Sequence, residues 1–233
     1  MSYGKIGVIG AMKEEIEQFL EHMEQVEETQ KAQVTFLDGL LHGKQIVLCK
    51  SGVGKVNAAV TTQVLIDTYG VEAIIFTGVA GAVDPVLDVG DIVVSSECMQ
   101  HDMDVTALGF PRGTIPFADT SIFPSDGQLT RLAAQVSGEL FPGRVKVGRV
   151  LSGDQFIANR DTVASLHNEM QGACTEMEGA AVAQVCSMNG IPHVIIRSMS
   201  DKADGSADVN FAEFTMQASE NSYRIVDHML KQL

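Results

Sequence analysis

The chain has little positive charge. Its 16 lysines and arginines are outnumbered by 30 aspartates and glutamates, which gives a formal net charge of −14 at pH 7 and a sequence pI near 4.7. A protein with this balance offers little basic surface on which to neutralise phosphates, so nucleic acid and anionic membranes are poor partners. We therefore expect a ligand that is neutral or cationic.

Long apolar runs are also missing. Glycine or a charged residue interrupts each apolar stretch well before the ~20 residues that a membrane-spanning helix needs. The beginning of the sequence shows no basic segment followed by an apolar one, which is the mark of a secretory signal. The sequence therefore predicts no membrane segment and a cytoplasmic location.

Cysteine is scarce, and its spacing indicates neither a disulfide framework nor a metal site. The cysteines form no CxxC motif and have no histidines in ligand order beside them. They are Cys49, Cys98, Cys174 and Cys186. We expect them to be reduced and buried, including Cys174, which lies next to an acidic motif but has no activating histidine near it in sequence.

The histidines are equally scattered, and no two have the spacing of metal ligands on one helix face. We therefore expect neither a metal nor a cofactor. Only His101, which is followed by Asp102 and Asp104, forms a cluster worth testing. A structural role near a subunit contact is the favoured interpretation of this cluster.

No linker, charge block or internal repeat divides the sequence, so we expect one domain over residues 1–233. Two glycine-rich turns could be mistaken for nucleotide motifs. Gly7 and Gly10 lack the third glycine of the dinucleotide fingerprint, and residues 51–55 lack the spacer and the Ser or Thr of a phosphate loop. Both are interpreted as turns between a strand and a helix.

Apolar β-branched runs alternate with segments of helical spacing. The predicted strands are 5–9, 34–41, 45–49, 73–77, 91–96, 145–151 and 192–199. The predicted helices are 12–20, 56–69, 126–137, 160–170, 178–189 and 211–233. This alternation indicates a three-layer α/β fold whose ligand site lies at the carboxyl ends of the strands. The long loop 106–124 is expected to be functional or to lie against a partner subunit.

An acidic motif, Thr175-Glu176-Met177-Glu178-Gly179, opens the predicted helix 178–189. Carboxylates are costly to bury beside an apolar run, so Glu176 and Glu178 either lie in solvent, cap the helix or hold a polar ligand. This stretch alone leaves the three options open.

Polar or small residues recur at other predicted strand ends. Glu14 and Glu15 follow the first strand, the small residues 78–82 let a ligand approach the backbone after the middle one, and residues 152–156 and 198–201 end two more. Carboxylates with a phenylalanine and a methionine nearby suit a neutral sugar joined to a flat base. Acids bind hydroxyls and move protons, the aromatic ring stacks, and methionine lines an apolar wall.

Five segments together make the chain recognisable: GVIGAMKEEI, TGVAGA, SGDQFI, TEMEGAAVAQVC and IRSMSDKAD. Over essentially its whole length the chain resembles the methylthioadenosine/S-adenosylhomocysteine nucleosidases of the nucleoside phosphorylase superfamily. The resemblance implies a three-layer α/β/α fold with a central mixed, mostly parallel twisted sheet. It also implies hydrolysis of the N-glycosidic bond of an adenine nucleoside, methylthioadenosine or S-adenosylhomocysteine, to adenine and a 5-thioribose.

The resemblance assigns the chemistry to three acids. Asp201 matches the general acid that protonates adenine at N7, Glu15 the carboxylate that activates water, and Glu178 the one that binds the ribose hydroxyls. The chemistry agrees, because breaking a C–N bond to a sugar builds oxocarbenium charge, so the base must gain a proton while water attacks from the opposite face. Met177 would lie beneath the ribose.

Further binding residues follow from the resemblance. Phe156 would stack on the purine, Ile157 would offer backbone contacts to it, and Glu176 would be a support whose backbone lines the purine pocket. Phe211 would cover the thioalkyl end. Ordinary core packing is the alternative interpretation of the two phenylalanines.

The water pocket would be bordered by Met12 and Arg197, and Ser200 would orient Asp201. The small residues that line the site are Val79, Ala80 and Gly81. Many relatives carry a serine at the position of Val79 to orient the aspartate, so Ser200 alone or a water would do this here.

The resemblance also implies a homodimer. In the family a neighbouring subunit closes the 5′ side of the pocket through the long loop, which here would involve Leu108 and Pro116, together with Val53. Leu108 stands where an aromatic residue often lies, which predicts altered 5′ selectivity.

Three alternatives stay open. A phosphate-dependent purine nucleoside phosphorylase shares the scaffold, although the acids of Lys13-Glu14-Glu15 repel phosphate. Aminofutalosine nucleosidases of menaquinone synthesis share the motifs and can overlap in substrate. A nucleoside-binding protein without catalysis would lack a key acid, and Glu15, Glu178 and Asp201 are all present.

Overall fold

The computed structural model describes residues 3–203 and 207–233, and for residues 207–210 and 212 it describes the backbone only. The strands are β1 (Lys5–Gly10), β2 (Glu24–Lys31), β3 (Val34–Leu41), β4 (Lys44–Lys50), β5 (Ala73–Ala82), β6 (Ile92–Gln100), β7 (Ile122–Pro124), β8 (Val145–Ser152), β9 (Gly172–Glu176) and β10 (His193–Asp201). The helices are α1 (Glu17–Leu20), α2 (Lys55–Tyr69), α3 (Gly127–Leu140), α4 (Arg160–Asn168), α5 (Gly179–Asn189) and α6 (Ala207–Leu230). Short 3₁₀ turns occur at Lys13–Glu15 and Thr106–Leu108.

The strands form one mixed sheet in the order β10-β6-β8-β9-β5-β1-β4-β3-β2, with β7 paired to β6. Because β10 also pairs with β5, the strands β10, β6, β8, β9 and β5 close into a small barrel. β1 runs parallel to β4 and β5, and β10 runs parallel to β5, whereas β9 is antiparallel to β5. The predicted mixed sheet is therefore confirmed, and its closure was not predicted.

Helices cover both faces of this sheet. Along β5, Ile74 and Phe76 pack in one apolar cluster with α2 and α5, while Ala73 and Ile75 pack in another with α3 and α6. Successive side chains of a strand point to opposite faces, so a continuous apolar run suits a strand that is covered on both sides. The three-layer arrangement is confirmed.

The predicted hairpin between β3 and β4 is also confirmed. Leu41 pairs with Lys44, and the turn residues His42 and Gly43 have φ values of +52° and +74°. A two-residue hairpin turn with positive φ at both positions matches the right-handed twist of its strands. His42 Nε2 lies 2.5 Å from Asp227 Oδ1, which ties the hairpin to α6.

The predicted helix 12–20 is wrong over its first half. The structure has a 3₁₀ turn at Lys13–Glu15, and α1 is only four residues long. The reason is that the Glu15 carboxylate turns back and accepts hydrogen bonds from the amides of Ala11 and Met12. This tight turn places an acid directly after β1.

Three strands, β2, β7 and β9, were missed, and β5 is longer than predicted. β2 is exposed along its whole length and therefore lacks the apolar alternation that marks a strand. β9 is buried and overlaps the acidic motif. β5 was predicted to end at Thr77 but continues to Ala82, because its small residues pair with the end of β10.

The cysteines are free and buried, as predicted. Over the described part of the chain, no helix combines the length and the apolar content that crossing a bilayer requires.

Candidate active site

A cavity of about 350 Å³ lies where several strands of the barrel end. β5, β9 and β10 reach it with their last residues, and the segments after β1 and β8 complete its wall. The predicted site residues that line it are Met12, Glu15, Val53, Val79, Ala80, Gly81, Phe156, Ile157, Glu176, Met177, Glu178, Ser200, Asp201 and Phe211. Its position agrees with the rule that ligands of open α/β sheets bind outside the carboxyl ends of the strands.

Glu15 is fixed by the backbone around it. Its Oε2 accepts hydrogen bonds from the amides of Ala11 at 2.6 Å and Met12 at 2.9 Å, and its Oε1 accepts one from Val79 at 3.0 Å. Burial raises the pKa of this carboxyl, while the charge of Arg197 and the three amides oppose that rise. The result is a buried acid held in one orientation at the end of β1.

Glu178 stands directly before α5 and faces the start of α2. Its Oε1 accepts a hydrogen bond from the Gly54 amide at 2.7 Å. Burial and then the neighbouring charge of Glu176 raise the pKa of Glu178 to about 8. The protonated form, which this shift favours, can both donate to and accept from a hydroxyl group.

Glu176 belongs to the scaffold of the site. Its Oε2 accepts hydrogen bonds from the Gly179 amide at 2.7 Å and from Arg197 Nη2 at 2.6 Å, and its Oε1 binds the Ser152 hydroxyl. These contacts cap α5 and join β9 to β8 and β10. Glu176 therefore supports the cavity wall and forms the ion pair that keeps Arg197 charged in the interior.

Arg197, predicted to border the water pocket, is not among the residues that line the cavity. Its side chain is buried, and its guanidinium lies over the Phe76 ring at 4.0 Å from the centroid. Burial lowers its pKa, but the charges of Glu176 and Glu15 outweigh that effect and raise it. Arg197 therefore acts on the site through its charge and through its ion pair with Glu176.

Asp201 ends β10 and is 2% exposed. Its Oδ2 accepts a hydrogen bond from the Ser200 hydroxyl at 2.9 Å, and its Oδ1 accepts one from the Ala203 amide at 2.7 Å. The predicted contact of Ser200 with Asp201 is present. Val79 takes part through its amide, which donates to Glu15, and has no hydroxyl to offer the aspartate.

Aromatic and apolar side chains form the mouth of the cavity. Phe156 is 52% exposed, and its ring meets the edge of Phe211 with centroids 5.7 Å apart and planes at 81°. Val53, Met12 and Ile157 extend this apolar surface. The mouth thus offers ring faces and edges to a flat ligand.

The three residues assigned to a neighbouring-subunit pocket do not share one position. Val53 lines the cavity of its own chain because it directly precedes Gly54, whose amide reaches Glu178. Leu108 and Pro116 do not line it, and Leu108 is 67% exposed.

Three lining residues were not predicted: Ala11, Gln155 and Thr175. Each is adjacent in sequence to a predicted residue. The available signal for Ala11 and Gln155 was the position of their segments after β1 and β8, and the signal for Thr175 was its place in the acidic motif. None of the three side chains has a distinctive chemistry.

Among the side chains that the structure describes, no three His, Cys, Asp or Glu are grouped so that they could hold a metal ion. The carboxyl groups of Glu15, Glu176, Glu178 and Asp201 bond to amides, hydroxyls and Arg197. The arrangement is suited to hydrogen bonding and proton transfer by carboxyl groups.

Comparison with known proteins agrees with the geometry. Residues 5–231 match the Phosphorylase superfamily. The 5′-methylthioadenosine/S-adenosylhomocysteine nucleosidase of Shewanella halifaxensis is 40% identical over 230 residues, which cover 98% of this chain and 100% of the relative.

Solved structures show the same likeness. The 5′-methylthioadenosine/S-adenosylhomocysteine nucleosidase from Neisseria meningitidis in complex with methylthio-immucillin-A has a TM-score of 0.94 and 39% identity, covering 99% of this chain and 100% of that chain. The futalosine hydrolase of Helicobacter pylori has a TM-score of 0.94 and 35% identity, covering 98% of each chain. The chain therefore belongs to the 5′-methylthioadenosine/S-adenosylhomocysteine nucleosidase family of the phosphorylase superfamily.

Proposed function

We propose that the chain hydrolyses the N-glycosidic bond of 5′-methylthioadenosine and S-adenosylhomocysteine, releasing adenine and a 5-thioribose product. Membership of the family makes it an N-ribosyl hydrolase. The observation that carries the assignment is that three buried acids, Glu15, Glu178 and Asp201, line one cavity and are held by separate sets of donors.

Asp201 is proposed to supply the proton to the leaving base. Adenine leaves readily only when N7 is protonated, because the electrons of the broken C–N bond then stay on a neutral base. The Ser200 hydroxyl and the Ala203 amide hold the two carboxyl oxygens and so set the direction of proton transfer. Removal of either contact is expected to slow the reaction more than it weakens substrate binding.

Glu15 is proposed to accept a proton from the attacking water. Three amides fix both of its oxygens, so little reorganisation is needed when the water attacks the anomeric carbon. Its position after β1, with Asp201 at the end of β10, supports roles for the two acids on opposite faces of the sugar, as in inverting glycoside hydrolysis.

Glu178 and Met177 are proposed to bind the ribose. The Glu178 carboxyl bonds the hydroxyls of the sugar, and the Met177 side chain packs beneath the ring. Phe156 and Ile157 bind the purine, and Phe211 covers the 5′ alkylthio group. These roles rest on the resemblance and on the place of each side chain in the cavity wall.

Phosphorolysis is the rival reaction on this scaffold. A phosphate nucleophile needs cationic partners, yet the charged side chains among the cavity's described lining residues are all acids, namely Glu15, Glu176, Glu178 and Asp201. Adenine release should therefore proceed at full rate in phosphate-free buffer. Strict dependence on phosphate would exclude the hydrolase assignment.

The substrate range is the second question, because a futalosine hydrolase is among the similar structures. Steady-state release of the base should be compared for methylthioadenosine, S-adenosylhomocysteine, 5′-deoxyadenosine, aminofutalosine and inosine. We expect the two thioadenosines to be cleaved well. Preferential cleavage of inosine would overturn the adenine assignment, and preference for aminofutalosine would move the chain to the alternative function.

We also propose that the active form is a homodimer. Large apolar side chains are exposed before and within α2 and in the long loop: Val53 is 49% exposed, Val56 74%, Leu108 67% and Phe117 94%. Exposed apolar surface of this kind supports an interface, and the resemblance expects Leu108 and Pro116 of a second copy at the 5′ end of the cavity.

Light scattering on a charged variant tests the dimer. The substitution Val56→Asp should convert the dimer to a monomer, because it buries an unpaired carboxylate at the interface. Val86 is 71% exposed outside these segments, so Val86→Asp is the matched control and should remain dimeric. A monomeric wild-type chain with full activity would contradict the proposal.

A further inference from the structure

Two polar segments that the proposed chemistry leaves unused meet beside the cavity. Lys55, the first residue of α2 after the glycine-rich turn, has its Nζ 2.6 Å from Asp102 Oδ1. The two side chains are only 17% and 15% exposed, and Lys55 Nζ also donates to Gln100 Oε1 at 2.9 Å. We propose that the Lys55–Asp102 pair positions the sugar-binding and purine-binding segments of the site relative to each other.

The start of α2 reaches the sugar side of the site. Gly54 is the N-cap of α2 and makes no side-chain cap, so the first amides of the helix need acceptors from elsewhere. The Gly54 amide donates to Glu178 Oε1 at 2.7 Å, and the Lys55 amide donates to Asp154 Oδ1 at 2.8 Å. Two carboxylates from distant segments thus cap the positive end of this helix.

Asp102 connects the same helix to the purine side. Residues 153–157, here called the purine loop, carry Phe156 and Ile157. The amide of Asp154, in this loop, donates to Asp102 Oδ2 at 2.9 Å, while Asp102 Oδ1 holds Lys55 Nζ.

The three residues therefore form a closed ring of hydrogen bonds: the Lys55 amide to Asp154, the Asp154 amide to Asp102, and the Lys55 ammonium to Asp102. Gly54 allows this approach, since it has a φ of +98° and a Cβ there would lie 3.2 Å from Asp154 Oδ1. The ring fixes the purine loop to the helix end that holds Glu178. Loss of the Lys55 ammonium opens the ring and leaves the mostly buried Asp102 carboxylate unpaired.

The inference rests on the proposed function, and it separates binding from chemistry. Glu15 and Asp201 take their hydrogen bonds from donors outside the ring. If the ring opens, the nucleoside should bind more weakly, while Glu15 and Asp201 keep their positions. KM should therefore rise, and kcat should change little.

The variant Lys55→Met tests this. We expect KM for methylthioadenosine to rise about tenfold with kcat within about twofold of wild type. The dissociation constant of 7-deaza-methylthioadenosine, which lacks the N7 that must be protonated, should rise by a similar factor. Lys55→Arg keeps the charge and should restore most of the affinity.

Two further variants keep the test decisive. Asp154→Ala removes an exposed side chain and opens the ring without burying a charge, so it should fold and still raise KM. Lys5→Met is the matched control, because Lys5 forms a similar 2.7 Å pair with Asp38 at the opposite, amino end of β1. That control should lose some thermal stability and keep the wild-type KM.

The outcomes distinguish the positioning role of the ring from the proposed hydrolase function. Unchanged KM and analogue affinity in folded Lys55→Met, or in Asp154→Ala if the first does not fold, would overturn the positioning role and leave the hydrolase assignment standing. A wild-type chain that binds the 7-deaza analogue but releases no adenine would overturn the proposed function, and the affinities would still decide the role of the ring. A wild-type chain that does neither would overturn both.

Discussion

At the scale of single residues, the two acids proposed for proton transfer are held in different ways. Three backbone amides fix Glu15, whereas a hydroxyl and an amide fix Asp201. A backbone amide cannot be removed by a side-chain substitution, whereas the Ser200 hydroxyl can be removed in this way. A side-chain substitution can therefore disturb the position of Asp201 more easily than that of Glu15.

Asp201→Asn should abolish most turnover with a modest loss of binding. The amide oxygen can still accept the hydrogen bond from Ala203 and the NH2 group can donate to the Ser200 oxygen, but the amide cannot deliver a proton to N7. General acid catalysis accelerates a reaction about 100-fold or more, so the rate of adenine release should fall by at least that factor. Asp67→Asn, an exposed change on α2, is the control. Near wild-type turnover in Asp201→Asn would refute the assignment.

Glu178 predicts a pH dependence of stability. Burial and the charge of Glu176 raise its folded pKa to about 8, above its ordinary value of 4.5. Between these two pH values the folded chain binds a proton that the unfolded chain has released, so this contribution is complete below the lower value and is lost as pH rises toward 8. The Tm of wild type should therefore fall with pH more steeply than the Tm of Glu178→Gln. Parallel curves would show that Glu178 does not titrate in this range.

At the scale of elements, the small residues of β5 predict a sensitive position. A Cβ added at Gly81 would lie 2.8 Å from Asp201 Oδ1 and 2.8 Å from the Ala203 Cβ. Gly81→Ala should therefore displace the aspartate and lower kcat about tenfold or more, because small misplacements of a catalytic group are costly.

A matched glycine gives the control for this substitution. Gly138 lies in α3 with nothing within 4 Å of the added Cβ. Gly138→Ala should keep full activity and raise stability by up to about 1 kcal/mol, since alanine favours the helix. Equal kcat in the two variants would show that the end of β5 tolerates movement of Asp201.

Strands and helices with a clear apolar pattern were predicted well. Segments that form strands only because they pair with a neighbouring strand were missed. β4, α2 and α5 follow the expected spacing. β2 was missed because its exposed residues EQVEETQK carry no apolar signal, and it is held by pairing with β3. The end of β5 was missed because Gly78 to Ala82 resemble a turn until the partner residues of β10 are known.

At the scale of the whole molecule, the layers could be predicted and the closure of the barrel could not. Alternating strands and helices imply a covered sheet, but the pairing of β10 with β5 joins segments more than a hundred residues apart. The same limit applies to the site. Its acids were found from motifs, whereas the Glu176–Arg197 pair and the Lys55–Asp102–Asp154 ring depend on contacts between distant segments.

The net charge of −14 per chain predicts how the proposed dimer responds to salt. Two chains of the same sign repel over a Debye length of about 30 Å at 0.01 M salt but only about 8 Å at 0.15 M. The exposed apolar side chains that would meet at the interface carry no charge, so their attraction is not weakened by screening. The dissociation constant of the dimer should therefore fall as sodium chloride is raised over this range.

Sedimentation equilibrium at several salt concentrations measures this constant directly. Sodium sulfate at equal ionic strength is the control, because screening depends on ionic strength, whereas exclusion of sulfate from apolar surface would give an additional effect. A dimer that weakens as salt is added would mean that oppositely charged groups across the interface outweigh the repulsion between the chains. The interface would then have to be sought on a charged surface instead of around Val56 and Leu108.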